Sequence, residues 1–324
     1  MPPPSTNPVA RRFDALLDRS VRPDFFRQID FAGPQGDPGW FGPGSAVWHV
    51  HGTMPVMFLG LAAAGFLENL DPSISAMGMD HSRIVARVDG VPTGKADLEG
   101  LRIRFAHSLA FFLAVGYGST ESAERVTKIV SAMHHRIKGV RPDGLPYDAD
   151  EPDWLRWNYA TVVWGIASAH ERYHPHPLPP ERIEAYYRSF VRVGEALGGT
   201  DLPATKGEVA ECLAARVPRL GVTAVTAGRM WPGIKADTQP RDRPLVWLLD
   251  WAYRDLLPDW GQHLIGYEPP PRPIVLARRF FIRSALRGLE TATGPMREFT
   301  QAKARAGSPA EATHPLAGSV QTRL

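Results

Sequence analysis

The chain has 324 residues, 44% of them hydrophobic and 22% charged, a balance that excludes full-length disorder. Its formal net charge is only +3, with Lys and Arg spread along the sequence, so it has no basic stripe suited to a nucleic-acid backbone. A single cysteine, Cys212, excludes an intrachain disulfide framework and a Cys-cluster metal site.

The opening stretch MPPPSTNPVARRFDALL carries no apolar core of a signal peptide, and residues 1–20 read as a flexible segment. The expectation is a soluble, cytoplasmic protein: the longest apolar run, 54–66, falls short of the roughly 20 residues a membrane span requires. The spacing predicts a first helix over 55–67 and a second over 96–115, stopping at Gly116-Tyr117-Gly118. A third starts at Ser119 or Thr120 and ends at Gly139. Between them, 83–88 reads as a short extended piece. A fourth helix, 150–173, has Pro152 in its first turn and apolar residues on all sides, which places it inside a core. A fifth follows Pro179-Pro180, and a sixth opens at Thr205, which has capping-box spacing to Glu208. Two more cover 244–257 and 273–291, and 301–324 reads as a disordered tail. The expected architecture is mainly α: a single-domain helical bundle over 21–300 with long loops.

Three polar constellations interrupt the apolar pattern. Arg104, His107 and Ser108 stand at i, i+3 and i+4, on one helical face that continues into Phe111. A cation, an imidazole and a hydroxyl on an apolar stripe either end in water or face a ligand. On the third helix, Val126, Ile129, Val130, Met133 and Ile137 form a stripe; His134 lies on its edge and His135 points away. An imidazole so placed is either a core histidine or an axial ligand to haem iron. Finally, His170-Glu171-Arg172-Tyr173-His174 matches H-E-x-x-H, with Glu195 downstream as a third candidate zinc ligand. Pro175 directly after His174 argues against helical geometry there.

GPGSAVWHVHG at 42–52, His81-Ser82, RFAHS at 104–108, VSAMHHRIKGVRPDGLPYDADEP at 130–152, WNYAT at 157–161 and VGEALG at 193–198 resemble, in order and spacing, one family. It contains the catalytic domains of bacterial rubber oxygenase (latex clearing protein) and of the fungal MpaB oxygenase. The resemblance implies a globin-like helical core that holds haem b. By position, Arg104, His107 and Ser108 take the places of an Arg-x-x-Lys-Thr cluster on the distal side, and His134 that of the axial iron ligand. Three residues depart from the pattern: Ser108 replaces Thr, His107 replaces Lys, and Tyr159 stands where many relatives carry His.

The function implied is a haem-dependent oxygenase acting with dioxygen on a small apolar, isoprenoid-like substrate. His134 would ligate iron, with Arg104, His107 and Ser108 as catalytic groups. Phe111, Phe112 and Trp157 would line the cavity with Arg104. Two alternatives stand beside it: a non-catalytic haem or lipophile binder, and an H-E-x-x-H zinc hydrolase.

Overall fold

The structure, a computed structural model, describes residues 29–222 and 243–307, together with Pro240 and the separate positions 8, 11, 15, 18 and 22. The expected segments 1–20 and 308–324 otherwise lie outside the described residues. Among the described residues the chain runs α1 (Ala46–His51), α2 (Met54–Glu68), α3 (Pro72–His81), β1 (Val85–Val88), β2 (Val91–Ala96), α4 (Leu98–Tyr117) and α5 (Thr120–His134). It continues through β3 (Lys138–Val140), β4 (Pro146–Asp148), α6 (Pro152–Tyr173), α7 (Pro180–Ala196) and α8 (Lys206–Arg216). The last elements are α9 (Arg243–Leu256), α10 (Asp259–Leu264), α11 (Arg272–Thr293) and α12 (Arg297–Arg305). The fold is a mainly α single domain, and its only described sheets are the antiparallel pairs β1–β2 and β3–β4.

Local chemistry starts these helices where the sequence indicates. Ser45, Asp71, Asp97 and Ser119 each accept a backbone N–H at the start of α1, α3, α4 and α5. Thr205 and Glu208 close a reciprocal capping box at α8. The helix expected to reach Gly139 instead ends at His134. The chain turns at His135 and enters the β3–β4 hairpin, where Gly139 pairs with Tyr147. A Cβ on Gly139 would stand 2.3 Å from the Tyr147 hydroxyl, so glycine here admits a ring rather than ending a helix.

The central helix is α6, whose Trp157, Ala160, Val163, Ile166 and Ala167 are all buried. It packs along α2 more extensively than any other described pair of elements. The crossing is close because it is made at glycines: a Cβ on Gly60 would come within 2.6 Å of the Gly165 carbonyl oxygen. The expected tail is also partly corrected. Residues 301–305 belong to α12, and Arg305 is fully buried, donating to the carbonyls of Phe31, Asp37 and Gly118.

Candidate functional site

The last turn of α5 carries His134 inward and the cap residue His135 outward. His134 is buried, its ring packed edge-on against Trp154 in the first turn of α6 with centroids 5.3 Å apart. Its Nδ1 is buried with no hydrogen-bond partner. Burial first, and then the charge of Arg104, pushes its pKa down to about 4, so the imidazole is neutral at pH 7. His135 instead pairs in the open with Asp150.

Arg104 stands on α4 and donates to the Ser108 hydroxyl at 3.3 Å, one helical turn on. His107, on the same stretch of helix, is exposed; partial burial and then the charges of Arg104 and Arg83 lower its pKa. The face expected from spacing therefore exists, and Arg104 is the charge that links it to His134. Phe111 is half-buried in edge contact with Phe112 at 5.1 Å. Trp157 is buried one turn beyond Trp154, under the Arg216 guanidinium at 5.7 Å, so Trp154 rather than Trp157 meets the His134 ring.

The residue the sequence did not single out is Glu68, the last residue of α2. Its carboxylate accepts from the Thr161 hydroxyl at 2.8 Å and from Asn158 at 3.1 Å. Burial, only partly offset by these bonds and by Arg104, raises its pKa to about 7. The available signal was a lone acid closing an apolar helix, with Asn158 and Thr161 spaced i, i+3 on α6. Tyr159, between them, is buried with its hydroxyl unpartnered, so this departure from the family pattern adds no described hydrogen bond. A groove of about 430 Å³ opens beside the first turns of α4, lined by His81, Ser82, Arg83 and Ile103 among others.

The H-E-x-x-H segment behaves differently from its motif. Helix α6 ends at Tyr173 and His174 is extended, as Pro175 requires. The two histidine rings still meet, but their third neighbour is His49 of α1. Glu171 is turned away, paired with Lys206 at 2.7 Å, so the acid that would act as base in a zinc hydrolase is outside the cluster.

The last turn of α5 thus carries a buried, neutral imidazole within electrostatic reach of the arginine-and-hydroxyl face of α4, whose Arg104 is itself exposed. The family described as "ER-bound oxygenase mpaB/B'/Rubber oxygenase, catalytic domain" matches residues 48–286, and the chain belongs to it. No curated protein and no solved structure matches the chain. No described helix is long and apolar enough to cross a membrane.

Proposed function

We propose that the protein is a haem b-dependent oxygenase that uses dioxygen to attack a small apolar, isoprenoid-like substrate, acting in the cytoplasm. The observation that carries this reading is the His134 imidazole: buried, neutral, with an unpartnered Nδ1, and under the charge of Arg104. The donor fits haem iron, because a ligating histidine must present an unprotonated nitrogen and a low pKa keeps it so. Haem, when bound, supplies the iron at which dioxygen is activated.

The chain's own residues supply the rest. The Arg104 guanidinium, steadied by Ser108, stabilises negative charge that develops on oxygen. The Ser108 hydroxyl donates to the same charge. His107, neutral at pH 7, accepts a proton at the exposed side of this face. Glu68, poised near pH 7, holds a proton on the inner side, fixed by Thr161 and Asn158. Phe111, Phe112 and Trp157 would line the apolar volume that receives the substrate.

The test is an absorption spectrum of the purified protein with iron measured on the same sample. A Soret band with stoichiometric iron is expected, lost in His134→Ala and kept in His135→Ala. An unchanged spectrum in His134→Ala overturns the ligand assignment. A Soret band without oxygen uptake on any alkene would reduce the protein to a haem carrier.

A further inference from the structure

Three imidazoles converge at the end of α6 opposite to His134. His49 comes from α1, His170 from the last turn of α6, and His174 from its cap. Ring centroids are 4.2 Å apart for His170–His174, 5.2 Å for His49–His174 and 5.3 Å for His49–His170. One ring nitrogen of each lies within 4.8 Å of those of the others. His170 and His174 are fully buried, and His49 is half-buried. At 1.5 Å rise per residue, the cluster is about 24 Å along α6 from the Trp154 that touches His134. It therefore does not belong to the proposed haem site.

The hydrogen bonds fix where each ring carries its proton. His49 Nε2 lies 3.0 Å from the His176 carbonyl, so Nε2 holds the proton and Nδ1 the lone pair. His174 Nδ1 accepts the His176 N–H at 3.0 Å, so its Nε2–H donates to Thr53 Oγ1, also at 3.0 Å. The Thr53 hydroxyl passes the chain on to the Glu290 carboxylate. His170 Nε2 accepts the Leu178 N–H at 3.0 Å, which leaves its proton on Nδ1, buried and without a partner.

We propose that His49, His170 and His174 form a binding site for a divalent transition-metal ion of the zinc class. Imidazole is a ligand that zinc, copper and nickel share, and three protein nitrogens leave one position for water or another ligand. With the protons so placed, the unprotonated nitrogens are His49 Nδ1, His174 Nδ1 and His170 Nε2. The ion displaces the backbone N–H groups of His176 and Leu178 from two of them. The opposite nitrogens of His49 and His174 already donate to a carbonyl and to a hydroxyl–carboxylate chain, the outer partners that orient metal-bound imidazoles. With Glu171 held by Lys206, the site lacks the base of a zinc hydrolase. Its effect is to tie α1 to the end of α6.

The experiment incubates the intact purified protein with Zn2+, removes excess by dialysis, and measures zinc and iron on the same sample, with calorimetric titration by Zn2+. Stoichiometric zinc is expected in addition to any iron. His49→Gln should weaken zinc binding at least about tenfold, and His170→Gln should remove it. His134→Ala should leave zinc unchanged whatever it does to iron, which separates this proposal from the haem assignment. No zinc on the wild-type protein, or wild-type affinity in His49→Gln, overturns it. His49 is only half-buried, so its variant carries the test if His170→Gln does not fold.

Discussion

His134 and His135 are neighbours in sequence with opposite fates, and a rotation of about 100° per helical residue explains the difference. That rotation is visible in the sequence, as is the shared face of Arg104 and Ser108, because both depend only on helical period. Glu68 is not legible in the same way. Its importance comes from Asn158 and Thr161, 90 and 93 positions away in the chain. Nor is the His49 neighbour of His170 and His174, which fills the place that sequence spacing offers to Glu195. The raised carboxyl of Glu68 has a consequence for stability. Its folded pKa, about 7, is above its ordinary value of 4.5, so the folded state holds a proton that the unfolded chain releases. The resulting stabilisation is complete below pH 4.5 and disappears as pH rises through 7. Glu290 shifts in the same direction, so the informative quantity is wild type minus variant. Glu68→Gln should flatten the decline in melting temperature between those limits by several degrees. Parallel curves for the two proteins would show that the Glu68 carboxyl keeps its ordinary pKa in the folded protein.

The helices themselves were mostly visible because amphipathic period, caps and prolines act locally. α2, α6, α7 and α8 lie within a residue or two of where the sequence places them. The failures are the short elements. The β3–β4 hairpin has only three residues per strand and no alternating pattern, and it is held by Tyr147 lying over Gly139. Nothing near Gly139 in sequence separates that role from a helix C-terminus. The close crossing of α2 and α6 is similar: Gly60 and Gly165 sit in helix interiors, where glycine is intrinsically unfavourable. A Cβ on Gly165 would approach the Gly60 carbonyl to 2.4 Å, which accounts for both. Gly165→Val should therefore destabilise by about 3 kcal/mol despite valine's better burial. Chemical denaturation measures it; a variant as stable as wild type would mean the helices can separate at no cost.

Two candidate sites occupy opposite ends of α6, and the segments packed around that helix are in turn tied to one another. α12 does this from far along the chain. Arg305 reaches the carbonyls of Phe31 and Asp37 in the loop before α1 and of Gly118 after α4, so it joins segments separated by almost the whole sequence. Glu298 of the same helix pairs with Arg22 in a second buried link. The small, polar composition after residue 300 reads as disorder because an arginine in such a stretch carries no sign of its burial. Removing Arg305 leaves those carbonyls without their shared donor, and Asp37 without the cation that faces it. Leaving such buried acceptors without a donor costs about 1–3 kcal/mol per group. Arg305→Ala should lower the denaturation midpoint accordingly. Arg305→Lys should recover only part of the loss, because an ammonium cannot reproduce the planar fork that reaches the carbonyls of Asp30, Phe31, Asp37 and Gly118. Full recovery by lysine would mean that charge rather than geometry holds α12 in place, and wild-type stability in the alanine variant would remove α12 from the fold's support altogether.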